Sequence, residues 1–469
     1  MTNSNRRAVV LGASIAGLLA ARALSRHFEE VLVLERAALP EGPVARSSVP
    51  QGPHAHGLLA GGMAAIERLL PGLVDELLVK GCQSGDNLRD VSWIFGGKRL
   101  AVGDSGVGGI AVARPVLEHA ICERVLGLPG VRIRTSARVT GLAARAGRVT
   151  GVRMQTAGGG EETASADVIV DATGRTSRMP EFLVALGYGA PRVEEVELTT
   201  NYVSRTYART EAHAAYGVGL LLVSSPEVPR GGIALAIDRR TWIVSQYGLN
   251  GVRPPLDPAG YLSFARSLAG PQLARLLETS EPTGDPATMK FVSSRRLHYE
   301  ELDRLPDGLF VCGDALASFN PTFGQGITVA ALEAERLESM GRDSAKPGEN
   351  RRFFRRASEI VDVAWNAAAG RSFTYEGVHG KPTTRMRVSN AYLPRVVARA
   401  LSDVTVATAL LRTMHFLAPP SSLFSPSILA KVLLSPGQLG KRDGESGGAS
   451  AQGERSGSEP WAPHEATRS

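Results

Sequence analysis

Gly12, Ser14 and Gly17 stand in the order G-x-S-x-x-G between the apolar run "AVVLG" and the alanine- and leucine-rich stretch "IAGLLAARAL". That spacing reads as a strand, a turn and a helix. The first glycine permits the sharp exit from the strand, and the last lets the helix lie tightly on it. The middle position faces any anion held at the helix N-terminus. Serine there keeps the turn small and adds a hydroxyl donor for a phosphate oxygen. Glu35 ends the next apolar run, "VLVLE", eighteen residues after Gly17, where a carboxylate accepts hydrogen bonds from ribose hydroxyls. A purely structural turn explains the glycines alone. With Glu35 the pattern specifies an adenosine diphosphate site, and an acid at that point argues against a 2′-phosphate.

A late segment, "VCGDALASFNPTFGQGITVAALEA" (residues 311–334), decides which dinucleotide. Asp314 ends a buried strand, where a carboxylate can accept from a ribityl hydroxyl. Pro321, Gly324, Gln325 and Gly326 form a loop tight enough for backbone N–H groups to approach a flat ring. The helix that follows points its positive end at that ring, a field that stabilises negative charge on a reduced flavin.

Other candidates carry less chemistry. His54 and His56 in "GPHAHG" are an H-x-H pair without acids or thiols at ligand spacing, so no metal is expected. Contact with the flavin and plain loop packing both stay open for them. Cys82, Cys122 and Cys312 are odd in number and far apart, which fits reduced thiols in a cytoplasmic protein rather than a disulfide framework. The start "MTNSNRRAVVLG" runs straight into a strand, so no signal peptide is expected. The net charge of +7 comes from scattered Lys and Arg with acids interleaved, which argues against nucleic acid. Arg351, Arg352, Arg355 and Arg356 read as a solvated helix face.

The elements that must position these residues divide the 469-residue chain, which is too long for one hydrophobic core. The fold class is α/β: a Rossmann-type FAD-binding domain of the GR2-like kind, interrupted by an antiparallel β-sheet substrate domain and followed by C-terminal helices. The FAD-binding domain takes residues 1–180 and closes with 298–345. The β-rich substrate domain is 181–297, the helical region 346–435, and 436–469 a disordered tail rich in Gly, Ser and charge. The stretch "ARPVLEHAICERVL" reads as an amphipathic helix with Val116, Ala120, Ile121 and Val125 on one side. Trp242, Tyr202, Tyr207 and Phe291 are read as sheet core in preference to cavity lining. The interrupted apolar stretch 406–434 is read as packing on the core or roofing the substrate cavity, in preference to a membrane-surface contact.

The fingerprint with Glu35, "RPVLEHAI" at Arg114, "VIVDATGRTS" at 168–177 and "GDALASFNPTFGQG" at 313–326 resemble the FAD-dependent aromatic-hydroxylase-like monooxygenases over residues 1–345. Within them, "VPQGPHAHGLLAGGMAAIERLLPGL" and "SFNPTFGQGITVAALEA" are most similar to bacterial epoxidases of polyether-type polyenes, and more distantly to squalene epoxidase. The resemblance implies that Arg114 reaches the pyrophosphate region, Asp314 the ribityl chain, and Gly324 to Ile327 the ring edge. It implies Pro321 and Arg46 as catalytic positions beside the flavin. It also implies that Ala16, Arg36, Val139, Asp171 and Gly313 line the cofactor. Two departures from the family pattern stand out: Asp171-Ala172-Thr173-Gly174 where Asp-Gly is usual, which weakens direct NAD(P)H docking, and a missing second proline after Asp314.

The implied activity is epoxidation or hydroxylation of a large lipophilic secondary metabolite, a polyketide or terpenoid of the kind met in antibiotic biosynthesis, through a flavin C4a-hydroperoxide. NADPH or NADH, or a separate flavin reductase, supplies electrons, and the substrate is free or tethered to a carrier protein. The alternatives are a flavin dehydrogenase or reductase acting on a prenyl-type lipid, and a non-catalytic flavoprotein that binds a lipid or a partner.

Overall fold

The computed structural model describes residues 6–433 apart from 47, 48 and 157. The predicted disordered tail lies outside the described residues. Five parallel strands form the first sheet in the order Leu309–Val311, Val168–Asp171, Arg7–Leu11, Glu30–Leu34, Val131–Arg134. The central strand Arg7–Leu11 is buried from Ala8 onward, as a parallel strand covered on both faces must be. The late strand Leu309–Val311 joins this sheet from far along the chain, beside Val168–Asp171.

Helix Ile15–Ser25 packs between Arg114–Leu126 and Gly326–Met340. Pro115 opens Arg114–Leu126, where its missing N–H costs nothing. Its buried residues are Leu117, Glu118, Ala120, Ile121 and Val125, so Val116 lies at the edge of the predicted face and an acid lies within it. A meander of Arg138–Arg145, Arg148–Gln155 and Glu161–Ser165 follows. Its first turn falls at Ala146-Gly147, as predicted, with both residues at positive φ, the geometry of a type I′ hairpin.

The second large sheet has eight strands, ordered Ala317–Ser318, Ala287–His298, Arg192–Ala208, Thr241–Leu249, Arg230–Ala236, Gly219–Val223, Val91–Phe95, Lys98–Arg99. Two of them come from within 1–180 rather than from 181–297, and Val91–Phe95 pairs in parallel with Gly219–Val223. The sheet is therefore mixed, not purely antiparallel. A small sheet of Gly57–Leu58, Gly108–Ala111 and Gln83–Asp86 bridges the two large ones.

Helices Glu349–Ser372, Thr384–Ala400, Val404–Met414 and Pro426–Leu433 follow, up to the last described residue. Phe353 and Phe354 are buried while Arg351, Arg352 and Arg355 face solvent, and Arg356 of the expected solvated face is half-buried. Among the described residues no helix is long and apolar enough to cross a membrane.

Candidate cofactor and substrate site

A cavity of about 1480 Å³ lies where the parallel sheet, the eight-stranded sheet and the C-terminal helices meet. This exceeds the usual range for a single small-molecule site, about 300–1,000 Å³, and has room for a cofactor together with a substrate. Gly12, Ser14, Ala16, Glu35, Arg36, Arg46, Arg114, Val139, Asp171, Gly313, Asp314, Pro321, Gly324, Gln325, Gly326 and Ile327 all line it. Of the residues assigned from sequence, Gly17 alone does not, because its place is beneath the turn.

The turn is built by steric need. Gly12 has φ of +95°, and a side chain there would meet the Ala172 carbonyl oxygen at 2.7 Å. A Cβ on Gly17 would lie 1.9 Å from the Gly12 carbonyl oxygen, so only glycine lets helix and turn approach this closely. Ser14 is the N-cap, yet its hydroxyl makes no capping bond and stays available at the cavity wall.

Glu35 is buried, and its carboxylate accepts from Ala13 N (2.8 Å) and Ala37 N (3.0 Å). It therefore fixes the turn itself while keeping lone pairs for a ribose. Arg46 donates from Nη2 to the Ala13 carbonyl (3.0 Å) and pairs with Glu118 Oε2 (3.3 Å), with Glu35 Oε2 3.9 Å from its Nη1. Among the described residues its bonds run to the dinucleotide turn and to Glu118, and it lines the same cavity as the Pro321 loop. Arg114 shares Glu118 through Oε1 at 3.3 Å. Glu118 was not singled out from sequence, although its four-residue spacing from Arg114 was the available signal.

Asp171 lines the cavity with its carboxylate bonded inside its own turn. It is fully buried, with Oδ1 accepting from Thr173 N (2.9 Å) and Thr173 Oγ1 (2.6 Å) and Oδ2 from the Ser177 hydroxyl. Its carboxylate holds the 171–177 turn in shape rather than reaching outward. Asp314, by contrast, accepts no hydrogen bond among the described residues and faces the cavity. Burial pushes its carboxyl up, opposed by Arg114 and Arg175.

The backbone under Asp314 is fixed by Glu333, whose Oε2 accepts from Gly313 N at 2.6 Å. Burial pushes the Glu333 carboxyl up to about 8, with Asp314 adding to the rise. The Pro321 loop is held by Asn320, which was not assigned from sequence. Its Oδ1 accepts from Thr322 N (3.1 Å), Thr322 Oγ1 (3.0 Å) and Tyr202 OH (3.2 Å), and its Nδ2 donates to Thr200 Oγ1 (2.9 Å). Gly324 takes φ of +64° to end the loop, and helix Gly326–Met340 then starts at the cavity wall.

His54 and His56 both line the cavity. His54 Nδ1 pairs with Ser204 Oγ at 2.7 Å and His56 Nδ1 with the His54 carbonyl at 2.8 Å. Burial drives their imidazoles down to about 4 and about 3, which keeps both neutral. Of the four aromatics, Trp242 and Tyr207 pack in the sheet core, while Tyr202 and Phe291 line the cavity.

These residues fit an adenine dinucleotide on grounds internal to the structure. Among the described residues Arg46 Nη1 and Arg114 Nε are buried donors without a hydrogen-bond partner beside the turn, the Ser14 hydroxyl makes no capping bond, and Gln325 Oε1 is a buried acceptor without a hydrogen-bond partner at the start of the late helix.

The comparisons agree with that geometry. The chain belongs to the FAD-dependent oxidoreductases: the family model described as FAD dependent oxidoreductase matches residues 8–212. Protein Rv3254 of Mycobacterium tuberculosis is 32% identical over 429 residues, covering 88% of this chain and 90% of its own. Among solved structures, the flavin-dependent brominase Bmp2 superposes with a TM-score of 0.62 at 16% identity, covering 87% of this chain and 92% of its own. The p-nitrophenol 4-monooxygenase PnpA from Pseudomonas putida reaches 0.61 at 19% identity, covering 87% and 99%. The fold is thus that of flavin-dependent monooxygenases and their relatives.

Proposed function

We propose that this chain is an FAD-dependent monooxygenase that epoxidises or hydroxylates a large lipophilic substrate, a polyketide or terpenoid polyene, with NADH or NADPH or a partner flavin reductase as the source of electrons. The observation that carries this reading is the continuity of one cavity from the Gly12–Gly17 turn and the Pro321 loop to an apolar wall made by the eight-stranded sheet and the C-terminal helices. When bound and reduced, FAD supplies the activation of O₂.

The protein's own residues orient and enclose. In this reading Ser14, Arg46 and Arg114 hold the pyrophosphate, Glu35 the ribose and Asp314 the ribityl chain. The 321–327 loop and helix start face the ring. Trp93, Val218, Leu221, Val397, Leu410 and Leu423 exclude water from an apolar substrate. The chemistry needs no nucleophile or paired acid and base from the protein, in keeping with the neutral histidines at the wall.

The test is turnover under ¹⁸O₂ with NADH, NADPH and an added flavin reductase, using lipophilic polyenes as substrates. One labelled oxygen atom in the product is expected. Oxidised product without label points instead to a dehydrogenase. Bound FAD that none of these donors reduces points to a non-catalytic flavoprotein.

A further inference from the structure

Helix Thr384–Ala400 presents an ordered gradient to the cavity. Arg385, Ser389, Leu393, Val397 and Leu401 follow one another at four-residue spacing, and all five line it. Residues so spaced form a ridge along a helix, here about 24 Å long from first to last. The ridge begins with a cation, passes through a hydroxyl and ends in aliphatic side chains.

The apolar end is continuous with its surroundings. Leu393, Val397 and Leu401 pack against a cluster that includes Trp93, Leu410 and Leu423. The polar end gathers charge. A Cβ on Gly370 would lie 3.0 Å from Met386 Cγ, and Asn390 Nδ2 donates to the Gly370 carbonyl at 2.8 Å. Those contacts bring Arg371, the neighbour of Gly370, to the same junction as Arg385, the neighbour of Met386.

Lys290 and Glu227 line the cavity with them, and Glu227 is close enough to Arg371 for their charges to interact. Three cations thus face one acid. Among the described residues none of Arg371, Arg385 and Lys290 has an ion-pair or side-chain hydrogen-bond partner, whereas Arg399, near the other end of the same helix, pairs with Asp403 at 2.9 Å.

Resting on the monooxygenase reading, we propose that the substrate is an elongated amphiphile whose anionic end, a carboxylate or a phosphate, is bound by Arg371 and Arg385 while its apolar chain runs along Leu393, Val397 and Leu401. Arg371 is half-buried and Arg385 and Lys290 are exposed where the apolar ridge ends, and cations beside an apolar wall are the complement of such a molecule, because a charge-assisted bond rewards the head and burial rewards the tail.

The experiment uses the full chain, with and without added FAD, and reads quenching of tryptophan fluorescence by retinoic acid and by retinol. These probes share one polyene chain and differ in a terminal carboxylate against an alcohol. Retinoic acid is expected to bind about tenfold more tightly, the worth of a charge-assisted hydrogen bond. In the Arg371→Gln/Arg385→Gln double variant that preference disappears while retinol binds within about twofold of wild type. Val397→Asp weakens both probes.

Equal affinities in the wild type, or a preference that survives the double variant, overturn the proposal. Decanoic acid and decanoyl phosphopantetheine separate the two sources of the anion. A double-variant loss confined to the first assigns a carboxylate head and one confined to the second a carrier-type phosphate, while no loss for either overturns the proposal again. Flavin uptake is followed separately by absorbance. A chain that takes no FAD but keeps the carboxylate preference removes the monooxygenase reading and leaves the anion site standing.

Discussion

Gly17 sits directly under Gly12, so close that any side chain on Gly17 would be driven into the Gly12 carbonyl oxygen at 1.9 Å. The obstacle is backbone, which cannot swing aside as a side chain can. Gly17→Val is therefore expected to destabilise the protein before any ligand is involved, by about 3 kcal/mol, the upper end of the usual cost of overpacking. Thermal denaturation of FAD-free protein checks this. A variant that melts like wild type and merely fails to hold FAD would show that the clash lies with the cofactor instead.

Glu118 bridges Arg46 and Arg114 in a largely buried triad. Glu118→Gln leaves two buried cations without their shared anion, a loss of about 3–5 kcal/mol for a broken buried pair. A bound pyrophosphate would replace the missing charge. The rise in melting temperature on adding FAD should consequently be larger in Glu118→Gln than in wild type. An equal or smaller rise would separate this triad from the cofactor.

The buried Glu333 gives a pH signature. Its folded carboxyl sits at about 8, above the ordinary value of 4.5. Between those values the folded state holds a proton that the unfolded chain has lost. Stability from this group is therefore complete below about 4.5 and declines as pH rises through 8. Glu333→Gln keeps an acceptor for Gly313 N and abolishes the titration. It should gain on wild type from pH 5 upward, by about 3 kcal/mol at pH 7, with no further gain above about pH 8. Chemical denaturation at several pH values reads this directly, and a constant difference across the range would contradict it.

Asn320 joins the Pro321 loop to strand Arg192–Ala208 through Tyr202 and Thr200. Asn320→Ala strands the buried Tyr202 hydroxyl and frees the loop, at a cost of about 1–3 kcal/mol. If the loop borders the flavin ring, the visible spectrum of bound FAD should shift as well. Lost stability with an unchanged spectrum would place the loop away from the ring.

His415 tethers the C-terminal helices. Its Nδ1 accepts from Ala60 N at 3.1 Å, its carbonyl accepts from Gly61 N at 2.8 Å, and burial lowers its imidazole to about 4. His415→Leu removes the first of these bonds. Limited proteolysis should then cut the 404–433 segment faster, at rates consistent with about 1–3 kcal/mol of lost docking energy. Unchanged cleavage would mean that the helices are held by packing alone.

The local chemistry of the cofactor turn can be read directly from residue order. Gly12 and Gly17 announce a close backbone approach, Glu35 ends the neighbouring strand, and Asp314 opens a second turn. Each is legible because its requirement is local: a positive φ, a missing Cβ, an acid at a strand end. The Ala146-Gly147 hairpin was legible for the same reason.

How side chains divide their bonds follows from the folded arrangement. The carboxylate of Asp171 is taken up by Thr173 and Ser177, whereas Arg46 is anchored through Nη2 to Ala13 and Glu118 and keeps Nη1 at the cavity. Glu118 and Asn320 gain their roles from partners far along the chain or on other elements. The eight-stranded sheet recruits Val91–Phe95 across more than a hundred residues, a pairing that no local pattern encodes. A hydrogen bond depends on where both ends lie, and chain folding alone brings the second end into place.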